Sequence, residues 1–404
     1  MPANSNTGID SPRAGLIVVS AFFVAFVGFG VTYSFGVFLK PLGADFGASH
    51  AAMSTIFSTL TVLSFFLAPV TGDLADHFGP RYVVGAGAIL MGAGLLFTSR
   101  VHSFPMLFVT YGVFVGVAMA CLYIPAVAAV GEWFKLHRDI ALGVAISGIG
   151  CGTLVAAPLA AKLSLHFGWR SAFEIFGWAS MVILLGCAAL LSRPPVLRAK
   201  GSANVMGMMR TRTFTLLFLG LTFSGVAIYT TFVFLAAFAA DLGASHVSCA
   251  ALIGYIGAAS VVGRLGLNAL APRFGLLTMY KVSYWLLLAS CGIWIVSHSY
   301  LALVAFALVM GVGYGGIAAM TPAVAAAKFG IEGLGELLGF LYTAFGVACL
   351  LGPPLAGVLA DSTHDYKWPA VIAVVGALIA LGAVLPMRSK ESGVGTQPEA
   401  ATED

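Results

Sequence analysis

Long apolar runs, each broken by glycine, proline or charge, recur along the whole chain. They lie near residues 14–39, 50–71, 81–99, 104–131, 140–163, 170–192, 213–240, 248–271, 277–297, 299–327, 334–360 and 368–387. Each covers the roughly 20 residues that a helix needs to cross a bilayer. An open strand cannot satisfy its backbone in hydrocarbon, so all twelve runs are predicted as helices. The run 104–131 passes into 140–163 through a short charged loop, Glu132-Trp133-Phe134-Lys135-Leu136-His137-Arg138. The longest polar gap, 193–212, holds Pro194, Pro195, Arg198, Lys200 and Arg210. It divides the chain into one six-span bundle over 1–192, a central loop over 193–212 and a second bundle over 213–390. The Gly/Glu/Thr-rich stretch 391–404 is predicted to be a disordered tail. The predicted fold class is an all-α membrane protein, twelve transmembrane helices in two pseudo-symmetric six-helix bundles.

Composition agrees with the pattern. Of 404 residues, 60% are hydrophobic and 9% charged, against about 25% charged in a soluble domain. That excludes an ordinary water-soluble fold, and the excess of apolar surface excludes disorder. The first run follows Arg13 and is too long for the apolar core of a cleaved signal, so it is predicted to be the first span. With both termini inside, cytoplasmic segments hold 14 of the Lys and Arg residues and outer segments hold 5, which supports that orientation in a cell (inner) membrane. The six cysteines lie in apolar runs and read as small hydrophobes. No Cys/His metal spacing, catalytic triad, paired carboxylates or phosphate-binding loop is present in the sequence. The reading is therefore not an enzyme, with no metal, cofactor or nucleic acid, and with the lipid bilayer as its medium. The glycine tract at 311–316 reads as close helix packing. Pro125, Pro158 and Pro322 are candidate kinks.

The two halves echo each other. Gly72-Asp73-Leu74-Ala75-Asp76-His77-Phe78-Gly79-Pro80-Arg81 closes the second span, and Asn268-Ala269-Leu270-Ala271-Pro272-Arg273-Phe274-Gly275 closes the eighth. The first copy resembles the GxLaDrxGrr signature of the major facilitator superfamily, and the second is a degenerate version. The resemblance implies two bundles around a central path, with Gly72, Asp76 and Arg81 in gating. Trp133-Phe134-Lys135-Leu136-His137-Arg138 with Ala141-Leu142-Gly143-Val144-Ala145-Ile146-Ser147-Gly148-Ile149-Gly150 is similar to a stretch of the monocarboxylate transporters and their bacterial relatives. So are Tyr33-Ser34-Phe35-Gly36-Val37-Phe38, the tract Gly339-Phe340-Leu341-Tyr342-Thr343-Ala344-Phe345-Gly346 and the ending Gly352-Pro353-Pro354-Leu355-Ala356-Gly357. The eleventh span is also similar to that of the neighbouring oxalate/formate antiporters.

Arg264 is the single basic residue within a span and away from its ends. A charge at that depth costs about 2.5–3.5 kcal/mol on insertion scales and marks a wet cavity or a partner. Every acid falls in a loop, a tail or a span end, and Glu174 is expected to pair with Arg170 at i,i+4. The expected partner of Arg264 is then a bound carboxylate, which matches the guanidinium fork; a purely structural or snorkelling arginine is the competing reading. In animal monocarboxylate transporters an Asp implicated in proton coupling lies four residues before this Arg; Ser260 holds that position here. Its hydroxyl is expected to meet the carboxylate or an α-hydroxyl. Oxalate carriers pair the Arg with a Lys where this chain has Phe345, so one central cation faces one carboxylate, and the apolar end of the substrate would rest on Phe345. The resemblance implies roles for Tyr33, Tyr123 and Tyr342; Tyr314 takes an aromatic position of the relatives. Core packing is the competing reading for each, and Tyr229 and Tyr255 are less favoured. His246 reads as a solvated loop residue, with external proton or substrate contact as the alternative.

The expected function is secondary active transport of a small monocarboxylate such as L-lactate or pyruvate, proton-coupled as in the family, by a monomer working through rocker-switch alternating access. The alternatives are a carboxylate exchanger of the oxalate/formate type and a transporter-like sensor without turnover.

Overall fold

The computed structural model describes residues 12–134, 138–192, 205–330, 334–363 and 365–388. Residues 135–137 of the charged loop, most of the central loop and the tail at 391–404 lie outside the described residues. Among the described residues the chain is helical, without strands. α1 (Pro12–Tyr33) and α2 (Phe35–Phe46) form one span interrupted at Ser34. α3 (His50–Phe66) and α4 (Ala68–Phe78) are bent by 45°. Pro69 explains that bend, because its ring lacks an N–H and clashes with the carbonyl four residues before it. α5 (Pro80–Thr98) follows. The next span comprises α6 (Phe104–Leu107), a π-helical stretch (Phe108–Val115) and α7 (Gly116–Trp133).

α8 (Arg138–Leu190) is far too long for one crossing and reverses at Gly168, whose φ of 81° suits glycine. Trp133 Nε1 donates to the Ser192 carbonyl at 3.0 Å, which places both ends of α8 on the same side as the end of α7. α8 therefore supplies two antiparallel arms. After α9 (Val205–Met209) come α10 (Arg212–Asp241), α11 (His246–Phe274), α12 (Leu276–Ile295), α13 (Tyr300–Phe329), α14 (Leu334–Thr363) and α15 (Lys367–Val384). Length and composition alone yield 10 candidate spans, or 11 with the bent pair counted as one. Splitting α8 at its reversal brings the number to the predicted twelve.

The elements before and after the central gap meet mainly along the first arm of α8 with α11, and along α3 with α14. The α8–α11 seam is backbone to backbone: a Cβ built on Gly257 would lie 2.5 Å from the Gly150 carbonyl oxygen. Gly257→Leu is expected to cost about 1–3 kcal/mol by overpacking. It should lower the thermal midpoint of the solubilised protein, and an unchanged midpoint would refute this account of the seam.

Both seams are tight at one end only. On α14, a Cβ at Gly357 would strike Ala51 and one at Gly346 would strike the Phe66 ring. Gly339 lies two further turns along the same face and meets nothing within 4 Å. On α8, Gly143 lies two turns before Gly150 on one face and likewise meets nothing. At the tight end, Lys40 Nζ pairs with Asp241 Oδ1 at 2.6 Å. Asp361 accepts from His50 Nδ1 at 2.8 Å and from the amides of His50 and Ala51 at 3.0 and 2.9 Å. The Tyr366 hydroxyl meets His50 Nε2, and Lys40 lies 5.3 Å from the centre of the Tyr366 ring. Burial pushes the Tyr366 hydroxyl above its ordinary pKa, with the charges of Asp241 and Asp361 adding to the shift. One sequence expectation is corrected here. Arg170 pairs with Asp45 at 3.4 Å and with the Val101 carbonyl, not with Glu174, because the turn at Gly168 swings Arg170 toward the end of α2. The same carboxylate accepts from Trp169 Nε1 at 2.7 Å.

Candidate functional site

α11 carries Arg264 into the interior, where the residue is 3% exposed. Among the described residues no carboxylate lies within salt-bridging distance of it, and Nε, Nη1 and Nη2 make no hydrogen bond to the protein. A buried guanidinium keeps its charge, so its donors demand an acceptor. What the fold supplies is an aromatic face, with the guanidinium carbon 5.3 Å from the centre of the Tyr314 ring on α13. A cation–π contact offsets only part of the desolvation cost.

The aromatic lining continues across the seam. The Tyr314 and Tyr33 hydroxyls are 3.4 Å apart. The Tyr33 ring stacks on Phe232 of α10 at 4.0 Å, nearly parallel. Phe29 meets Tyr123 edge to face at 4.9 Å. A cavity between α1, α3, α7 and α10 is lined by Phe29, Thr32, Tyr33, Leu60, Thr61, Ser64, Phe65, Met119, Tyr123, Ile124 and Tyr229.

The sequence-predicted residues fall into four groups. Tyr33 and Tyr123 line the cavity, and Tyr314 links Tyr33 to Arg264. Tyr342 stacks on Phe345 at 5.9 Å, and Phe345 touches Phe65 and Tyr229, which places this pair beside the cavity wall. Ser260 is fully buried and donates to the Gly257 carbonyl at 2.7 Å. It is wedged where Gly150 and Gly315 let α8 and α13 approach α11, so its hydroxyl proton is already committed to the helix backbone. Gly72 has open space where a Cβ would stand, so close packing does not explain it in this conformation. Asp76 and Arg81 are exposed at the loose end, on α4 and α5.

Sequence reasoning passed over Phe29, Thr32, Thr61, Ser64, Phe65 and Phe232, and it ranked Tyr229 low. A signal existed for α3: Ser54, Ser58 and Thr61 recur at helical spacing inside an apolar run, with Ser64 one step on. Nothing comparable marks the phenylalanines, which look like any membrane-facing side chain until the partner helices are in place.

A family profile described as Major Facilitator Superfamily matches residues 21–288 and 269–402. Monocarboxylate transporter 13 of Bos taurus is 30% identical over 387 residues, covering 92% of this chain and 88% of that protein. Monocarboxylate transporter 12 of Xenopus laevis is 27% identical over 390 residues, covering 88% and 85%. Among solved structures, a bacterial homologue of the human lysosomal transporter Spinster, inward-facing and unoccupied, superposes with a TM-score of 0.71 at 15% identity. The match covers 93% of this chain and 94% of that one, a likeness of fold alone.

Proposed function

Because this chain belongs to the major facilitator superfamily and, within it, to the monocarboxylate transporter family, we propose that it is a secondary transporter that carries a small monocarboxylate such as L-lactate or pyruvate. The observation that carries the reading is Arg264, a buried cation whose donors meet no protein acceptor among the described residues. A carboxylate accepts two parallel N–H bonds from that fork. The Tyr33 and Tyr123 hydroxyls stand ready to share it. Phe345 occupies the place where a second cation would be needed for a dicarboxylate, and its apolar neighbours disfavour a second charge.

Transport follows from the two seams. Residues 1–192 and 213–390 act as rocking bundles. The distribution of Lys and Arg assigns the tight end to the outside and both termini to the cytoplasm of a cell inner membrane, so the conformation is inward-facing. Substrate binding neutralises Arg264 and lowers the barrier to reorienting the loaded carrier. Gly72, Asp76 and Arg81 then meet the opposite bundle when the loose end closes. Proton-coupled symport is the mode that the resemblance implies. Ser260 stands where the coupling Asp would be, however, and no described carboxylate lies beside Arg264, which favours exchange of carboxylates as the second reading.

In proteoliposomes the expected result is saturable uptake of labelled lactate and pyruvate, with oxalate a poor competitor. Counterflow that proceeds equally with and without a pH gradient assigns the exchange mode, whereas acid-driven net uptake assigns symport. Effective competition by oxalate would overturn the monocarboxylate reading.

A further inference from the structure

Three hydroxyls face the cavity from α1 and α3, and all three have already given away their protons. Thr32 Oγ1 donates to the Gly28 carbonyl at 2.9 Å and Thr61 Oγ1 to the Phe57 carbonyl at 3.0 Å. Ser64 Oγ donates to the Leu60 carbonyl at 2.7 Å, with the Gly116 carbonyl at 3.3 Å. A hydroxyl has one proton and two acceptor lone pairs. With the proton turned back to its own helix, each can offer the cavity only lone pairs. The rest of the wall is Phe29, Leu60, Phe65, Met119 and Ile124, with the tyrosines Tyr33, Tyr123 and Tyr229. Hydrogen-bonding sense thus differs across the site. Donors are the cavity tyrosines and Arg264, which reaches the cavity edge through Tyr314 and Tyr33, and acceptors are Thr32, Thr61 and Ser64.

We propose that Thr61 and Ser64, with Thr32, set the substrate class of this site: monocarboxylates that bring a hydroxyl donor are preferred over the matching oxo acids. The inference rests on the reading that Arg264 holds the carboxylate. With the carboxylate taking the donors, a substrate hydroxyl finds acceptors on the α3 wall. A carbonyl oxygen set against those lone pairs opposes acceptor to acceptor and gains no bond from Thr32, Thr61 or Ser64. A site that matches a substrate hydroxyl rejects the analogue that lacks it, because its own polar groups then stay unpaired.

The test uses two substrate pairs that differ only in hydroxyl against carbonyl: lactate with pyruvate, and 3-hydroxybutyrate with acetoacetate. The second pair moves the group one carbon from the carboxylate, since either position can meet the wall. Inhibition of labelled lactate uptake into proteoliposomes is measured for each compound. The hydroxy member of at least one pair should compete about tenfold more strongly, the worth of one hydrogen bond of about 1.4 kcal/mol. Thr61→Val and Ser64→Ala, singly and together, should bring that ratio toward one. Oxo acids that compete as well as their hydroxy partners in both pairs would overturn the proposal, as would a ratio that survives the double variant. Arg264→Lys separates the two readings. Loss of uptake for both members of a pair upholds the carboxylate anchor whatever the ratio, and uptake retained in that variant sinks the anchor itself.

Discussion

Arg264→Lys is expected to lower uptake of a labelled monocarboxylate by on the order of 100-fold at subsaturating substrate, a loss of about 2–3 kcal/mol. The substitution keeps the positive charge, so a purely electrostatic anchor would survive it. What it removes is geometry. A guanidinium offers parallel donors in a rigid plane, and an ammonium on a flexible stem cannot present two of them to one carboxylate. The plane also lies 5.3 Å from Tyr314, a contact the slimmer lysine head group does not reproduce. A shorter-reaching cation in the same buried position also gives up more of its own solvation, which adds to the loss. The measurement is initial-rate uptake in proteoliposomes normalised to reconstituted protein, with monodispersity as the check on folding. Uptake within a few-fold of the parent would remove Arg264 from the site and leave the fold untouched.

The second large effect is at the tight end. Asp361→Ala deletes an acceptor that serves three donors, two of them amides in the first turn of α3. A carboxylate there also complements the positive end of the α3 dipole. These bonds cross from α14 to α3, so their loss weakens the seal and not merely one helix. Partial exposure of both partners reduces their worth, and about 2 kcal/mol is a reasonable total. That corresponds to roughly a 30-fold shift in the ratio of sealed to open states at this end. Spin labels placed at the tight ends of α3 and α14 should report a longer distance population in the variant. Lys40→Ala breaks a pair that is 36% and 48% exposed, and it should move the distribution far less. An unchanged distribution in Asp361→Ala would show that glycine packing alone, at Gly357 against Ala51, holds the seal.

Rapid uptake and a loose seal are separable outcomes. The Arg264 variant should leave the distance distribution largely alone, because Arg264 makes no hydrogen bond to the protein among the described residues. The Asp361 variant should change how often the carrier turns over while leaving the ranking of substrates alone, because Asp361 is on the seal and not in the cavity.

Much of this protein could be read from the chain. Twelve spans, the reversal of direction at each loop and the isolation of Arg264 all follow from spacing and charge, because a bilayer imposes one length and forbids unpaired charge. The list of acids by depth was enough to predict that no carboxylate would be found beside Arg264. Side-chain partners at the helix ends were less legible. The i,i+4 spacing pointed Arg170 to Glu174, yet the fold gave it Asp45, since spacing along one helix cannot see a carboxylate brought up from another.

The cavity itself was decided only in three dimensions. In hydrocarbon, an inward-facing phenylalanine and a lipid-facing one obey the same composition rule, so Phe29, Phe65 and Phe232 carry no mark in one dimension. Ser260 is a related case: its position in the chain suggested a ligand, and the fold turns its proton to the Gly257 carbonyl, which leaves it only lone pairs to offer. Sequence alone determined how many times the chain crosses and which charge it hides, because those depend on solvation along the chain. Which faces meet, which hydroxyls keep a proton to give and which end is shut depend on contacts between distant helices, and these only the tertiary structure decided.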